Sequence, residues 1–84
     1  MNRCISLKDF QIESEDAFSM NIYVFNDELE IKHDIYISTI EQPIKEFTYY
    51  KKRYLGDRLI FALTSPHIIK GTPIYVSYIP EYIT

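Results

Sequence analysis

The fold of this chain depends on one stretch in mid-sequence, PIKEFTYYKKRY at residues 43–54. Pro43 suits the first turn of a helix, and Gly56 stands where a helix would be capped. Apolar and aromatic residues between them recur with helical spacing at Ile44, Phe47, Tyr50 and Tyr54. The run from Phe47 to Tyr50 is, however, made of strong strand formers. We expect a strand here, with a helix near residues 43–55 as the alternative.

The rest of the chain has the patterns of short strands. Residues 3–10 alternate apolar and polar side chains. Within the predicted strand at residues 58–64, residues 59–63 form an apolar run typical of a central, buried strand. A second two-sided strand follows at residues 74–79. Turn residues separate these runs at intervals of roughly 8–12 residues. The pattern predicts an all-β fold, a small sandwich or partly open barrel of about five to six short antiparallel strands; α+β with one helix packed on the sheet is the alternative.

A hairpin is the clearest local prediction. Residues 21–25 and 30–37 flank Asn26-Asp27-Glu28, where Asn and Asp tolerate the left-handed backbone of a tight turn. On the second strand His33 shares a face with isoleucines, so we expect it to point toward apolar neighbours. Residues 13–19 are expected to form an acidic loop or a single helical turn, and residues 65–67 and 71–73 to form turns.

Length and composition indicate one folded domain, residues 1–84. The chain is 46% hydrophobic and 15% aromatic, which is a composition that buries surface. Cys4 is the single cysteine, so it forms no intrachain disulfide, and we expect it to be a structural strand residue. No apolar run resembles a signal peptide or a membrane span. The expected location is the cytoplasm, with no membrane partner.

The net charge of −3 conceals an uneven distribution. Residues 1–42 hold nine acidic and three basic residues, a charge of −6, whereas residues 43–84 hold six basic and three acidic residues, a charge of +3. We favour the interpretation that the two halves attract each other at long range. The alternative is an acidic face and a basic face that steer different partners.

The sequence contains no catalytic or metal-binding pattern. His33 and His67 are the two histidines, and neither has another ligand at metal-binding spacing. Gly56 and Gly71 are the two glycines, too few for a phosphate-binding loop of the usual kind. We therefore expect no enzyme, no catalytic residue, no metal and no cofactor.

Six consecutive residues are the candidate binding site: Tyr49, Tyr50, Lys51, Lys52, Arg53 and Tyr54. Cations that track phosphates and rings that stack on bases are what single-stranded nucleic acid requires. The acidic charge of the whole chain opposes that interpretation, because dedicated nucleic-acid binders carry a broad basic surface. The leading alternative is a charged strand edge that discourages aggregation, and a protein contact ranks ahead of nucleic acid.

Eight tyrosines are too many for a core of this size, so several must be exposed, and tyrosine is enriched at protein interfaces. We expect a small non-enzymatic protein-interaction module, an accessory or inhibitor protein of viral, phage or bacterial origin. The alternatives are binding of RNA or single-stranded DNA through residues 47–54 and an acidic surface that imitates nucleic acid. Self-association through an edge strand is a further expectation.

Overall fold

The computed structural model describes residues 4–11, 17–64 and 73–80. In chain order the elements are β1 (Cys4–Ser6), a 3-10 helix (Leu7–Asp9), β2 (Phe18–Phe25), β3 (Ile31–Ile40), α1 (Pro43–Arg53), β4 (Arg58–Thr64) and β5 (Ile74–Tyr78). The five strands form a single sheet in the order β1-β5-β4-β2-β3. β1 runs parallel to β5, and the other neighbouring strands are antiparallel.

The fold is rich in β-structure, as expected, but the α+β alternative describes it better than the all-β prediction. The sheet has two free edges, β1 and β3, so it is not closed into a barrel. All the described strands belong to that one sheet, which is mixed and not purely antiparallel. Helix α1 supplies the second layer that a sandwich would have taken from another sheet.

The prediction of a strand at residues 47–54 is wrong, because residues 47–53 lie in α1 and Tyr54 is its C-cap. Pro43 occupies the start of the helix, where its missing N–H costs nothing. Three cations in the last turn complement the helix dipole, and Gly56 follows with a φ of 85°. The strand preference of the Phe-Thr-Tyr-Tyr run yields to this context, since β-propensity reflects a side chain's surroundings.

The core lies between α1 and one face of the sheet. The Phe47 ring is 1% exposed and lies 5.4 Å from the Phe10 ring and 4.5 Å from the Phe61 ring, between ring centroids. β4 is the central strand, as the sequence predicts. The other buried members of the core cluster are Phe18, Met20, Ile22, Val24, Ile40, Leu59, Leu63 and Val76.

The predicted hairpin of β2 and β3 is confirmed, but its turn works differently from expectation. The left-handed residue is Leu29, with a φ of 64°, and not an Asn or Asp. Asn26 shapes the turn through its side chain, because its Oδ1 atom accepts hydrogen bonds from the backbone N–H of Glu28 at 3.0 Å and Glu30 at 2.9 Å. This is the Asx type of turn stabilisation.

The predicted first strand is shorter than expected. β1 ends at Ser6, and the chain turns through the 3-10 helix so that Phe10 enters the core. Cys4 is a strand residue, as predicted, and it is exposed. The loop or helical turn expected at residues 13–19 is wrong at its end, because Phe18 and Ser19 already belong to β2. The predictions for residues 13–16, 65–67 and 71–72 lie outside the described residues.

Candidate functional site

Helix α1 sends its three consecutive cations in three directions. Successive residues of an α-helix are rotated by about 100°, so Lys51, Lys52 and Arg53 cannot share one face. The Lys51 ammonium lies 5.3 Å from the centroid of the Tyr78 ring on β5, whereas Lys52 is exposed. Arg53 turns the other way, toward Tyr54. The six predicted binding residues are therefore not one continuous patch.

Tyr50 and Tyr54 occupy the border between the helix and the sheet. Both are half-buried and pack against the core cluster, with parallel rings 6.4 Å apart. Burial raises the pKa of the Tyr50 phenol, and the nearby carboxylate of Glu46 adds to the shift. The Tyr50 hydroxyl is therefore protonated at neutral pH and able to donate a hydrogen bond.

Tyr49 and Arg53 lie on the exposed flank beside these rings. Tyr49 is 54% exposed, and its ring stands edge-on to Tyr50 at 4.9 Å. The Arg53 guanidinium lies 5.6 Å from the centroid of the Tyr54 ring, and its Nε donates a hydrogen bond of 3.4 Å to the Tyr54 hydroxyl. That hydrogen bond raises the pKa of Arg53. We call Tyr49, Tyr50, Arg53 and Tyr54 the tyrosine–arginine cluster.

β3 brings one more aromatic side chain to the cluster. The imidazole of His33 lies 5.2 Å from the Tyr54 ring. His33 pairs with the buried Val24 across β2 and β3, so it lies on the helix side of the sheet, yet it is exposed. Alternation along the strand predicted this face correctly. The contact with Tyr54 could not be predicted from the sequence, because it depends on where α1 packs on the sheet.

The cluster contains one cation, Arg53, and the carboxylate of Glu46 lies near its Tyr50 side chain. Among the described residues the one ion pair joins Lys32 and Asp57 at 3.1 Å, so Arg53 has no carboxylate partner there. A guanidinium has five N–H donors arranged to bind a carboxylate, and Tyr54 occupies one of them. The chemistry available at this surface is recognition of an acidic group flanked by aromatic contacts.

Metal-binding groups do not assemble in the described part of the chain. No three His, Cys, Asp or Glu side chains lie close enough there to hold a metal ion. None of the helices in that part is long and apolar enough to cross a membrane.

The fold and the cluster together define a small α+β protein with an aromatic and basic surface on its helix. Comparisons of the chain with protein-family models, with curated proteins and with solved structures find no match. The geometry of the cluster is therefore the basis for assigning a function.

Proposed function

We propose that this chain is a non-enzymatic protein-interaction module, and that the tyrosine–arginine cluster binds an acidic segment of a partner protein. One observation carries the proposal: Arg53 is held by the Tyr54 hydroxyl beside the exposed ring of Tyr49, and it has no carboxylate partner among the described residues. A protein that acts only by binding a partner would serve as an accessory protein or as an inhibitor of that partner.

The side chains of the cluster contact one another before a partner arrives. Tyr49 packs on Tyr50, Tyr50 stacks on Tyr54, and Arg53 bonds to Tyr54, and these contacts reduce the rotamer entropy that is lost on binding. In alanine scans of interfaces, a few residues each cost about 2 kcal/mol or more when they are replaced. Tyrosine and arginine, with tryptophan, are the residue types most enriched among them.

The nucleic-acid alternatives have less support. Binding of RNA or single-stranded DNA would use Lys51, Lys52 and Arg53 together, and the helix directs them apart. Imitation of nucleic acid would use the acidic residues of the first half, of which residues 13–16 lie outside the described structure. Both alternatives stay predictions.

The test is recovery of a partner from the native host with the wild-type chain and with the double variant Tyr49→Ala/Arg53→Ala. We expect the double variant to lose the partner while its circular dichroism spectrum stays that of a folded protein. Lys52→Ala is the matched control, because it removes the same charge from the exposed surface of the same helix. It should retain the partner.

A second measurement defines the ligand chemistry. Titration calorimetry with the recovered partner should give binding that weakens with salt and falls at least tenfold when Arg53 is replaced by Ala, since each 1.4 kcal/mol is about a factor of ten. Retention of the partner by the double variant would refute this placement of the interface. A gel shift with single-stranded DNA at low salt that disappears in the double variant would favour the nucleic-acid alternative instead.

A further inference from the structure

A cleft of about 820 Å³ lies on the opposite flank of α1 from the tyrosine–arginine cluster. It is bordered by the 3-10 helix, by α1 and by the end of β5. Its volume falls within the range of roughly 300–1,000 Å³ that is usual for small-molecule sites. We call it the lysine cleft, after its two cations, Lys8 and Lys51.

The lining of the lysine cleft combines an apolar surface with positive charge. Its apolar side chains are Leu7, Ile44, Phe47, Ile79 and Pro80. Lys8 and Lys51 are its charged residues, and no acidic residue is among the described side chains that line it. Ile44 and Ile79 are 49% and 62% exposed, so hydrocarbon surface remains in contact with solvent at the rim. An apolar ligand would bury that surface.

Lys51 is the better placed of the two cations. It is half-buried, and its ammonium lies 5.3 Å from the centroid of the Tyr78 ring, which is within the range of a cation–π contact. The N–H donors of the ammonium that face away from the ring can still bind oxygen atoms. Lys51 has no carboxylate partner among the described residues. The cleft therefore holds a fixed positive charge next to an apolar wall.

We propose that the lysine cleft binds a small amphiphilic carboxylate of the fatty-acid type. The carboxylate pairs with Lys51 and Lys8, and the hydrocarbon chain lies on the exposed surface of Ile44 and Ile79. A neutral molecule of the same shape leaves the lysine charges without a partner, and a cationic one is repelled. This site is separate from the tyrosine–arginine cluster, because Lys51 and Arg53 point to different sides of α1.

A second, smaller pocket of about 260 Å³ provides an internal comparison. It is lined by Phe25, Leu29, Leu59 and Ile60, by a single cation, Arg58, and by Ser77, Tyr78 and Ile79, which also line the lysine cleft. Arg58 places a positive charge beside these apolar side chains, so the experiment needs variants that separate the two pockets. Lys51→Gln removes a charge from the lysine cleft, and Arg58→Gln removes one from the smaller pocket.

The experiment is titration calorimetry of the full chain with octanoate, 1-octanol and octyltrimethylammonium, each below its micellar concentration. We expect octanoate to bind most tightly and the cation most weakly. Lys51→Gln should weaken octanoate binding about tenfold, the usual scale of a charge-assisted hydrogen bond, and should leave 1-octanol binding unchanged. Lys51→Arg should restore most of the affinity, because it keeps the charge. Circular dichroism checks that each variant is folded.

Three outcomes would overturn the proposal. The first is equal affinity for octanoate and 1-octanol, or no binding of octanoate to the folded chain. The second is weaker octanoate binding in Arg58→Gln and not in Lys51→Gln, which would move the ligand to the smaller pocket. The third is an octanoate-dependent shift of backbone NMR signals that spares Leu7 and Ile44, which line the lysine cleft and not the smaller pocket. The Tyr49→Ala/Arg53→Ala variant should bind octanoate normally, so the two proposals fail independently.

Discussion

Phe47 and Ile44 are apolar residues three positions apart on α1, and their environments differ sharply. Phe47 is 1% exposed between Phe10 and Phe61, whereas Ile44 is 49% exposed. Phe47→Ala should lower the free energy of unfolding by about 3–5 kcal/mol, because it leaves a cavity under the helix. In a domain of this size that change removes most of the net stability. Urea unfolding followed by circular dichroism measures it.

Ile44→Ala is the matched control for Phe47→Ala. It also shortens an apolar side chain on the same helix. Ile44 is about half exposed, so few packing contacts are lost, and alanine is the better helix former. We expect a change within about 1 kcal/mol in the free energy of unfolding. Equal losses in the two variants would contradict the assignment of Phe47 as the residue that joins α1 to the sheet.

The Tyr50 phenol provides a residue-scale prediction for alkaline pH. Burial raises its pKa above the ordinary value of 10.0, so the unfolded chain releases this proton at lower pH than the folded chain does. The stabilisation from Tyr50 is complete below pH 10 and is lost as pH rises through its folded pKa. Unfolding free energies should therefore fall less steeply above pH 10 in Tyr50→Phe than in the wild type. Identical slopes would refute the effect.

At the residue scale, the sequence predicted which residues form the candidate site but not the direction in which each side chain points. The six residues from Tyr49 to Tyr54 were identified correctly as an aromatic and basic segment, but the side on which each lies depends on the helix. The contact of His33 with Tyr54 joins residues 21 positions apart, and no local pattern predicts it.

At the scale of elements, the turn between β2 and β3 is stabilised by the side chain of Asn26. Asn26 Oδ1 accepts two backbone N–H groups, from Glu28 and Glu30. Asn26→Ala should lower the free energy of unfolding by roughly 1 kcal/mol, the usual cost of losing such a cap. Asp27→Ala, at the next position, should have little effect. Thermal unfolding compares the two, and equal destabilisation would show that the Asn26 contacts are dispensable.

β3 is an edge strand, and its pairing with β2 is irregular at both ends. The register shifts between Phe18 and Met20 and again between Val24 and Phe25. Bulges of this kind twist an edge and discourage its pairing with another chain. Self-association through an edge stays a prediction, and β3 offers it only the short regular stretch from His33 to Ile37.

α1 shows why the type of an element can be harder to predict than its existence. The spacing of Phe47, Tyr50 and Tyr54 is helical, but Phe, Thr and Tyr also favour strands. The hairpin and the central strand were predicted correctly because alternation, turn residues and an apolar run agree there. At residues 43–54 the local signals conflict, and the tertiary contact of Phe47 with Phe10 and Phe61 decides between them.

At the scale of the whole molecule, the two oppositely charged halves interleave in the sheet. β2, from the acidic half, lies beside β4, from the basic half. The ion pair among the described residues joins Lys32 of the acidic half to Asp57 of the basic half, the reverse of the pairing that net charges suggest. This contact therefore gives no support to the expected attraction between the halves, which stays a prediction.

The sheet also joins distant parts of the chain, because β1 pairs in parallel with β5. This pairing connects Cys4 with Tyr75, and sequence patterns cannot predict it, since they describe only neighbours along the chain. β1 has three residues, lies at an edge and begins with an exposed residue, whereas β4 is central and has three fully buried side chains, Leu59, Phe61 and Leu63.

That contrast predicts unequal stability across the molecule. Amides of β4 should exchange with deuterium only on global unfolding, because both neighbours, β2 and β5, must separate to expose them. Amides of β1 should exchange much faster through local detachment of the edge, since a short parallel pairing is weak and buries little surface. Native-state hydrogen exchange followed by NMR at increasing urea separates the two routes. Exchange of β1 as slow as that of β4 would mean that the sheet opens as one unit, and that the edge is held by more than its pairing with β5.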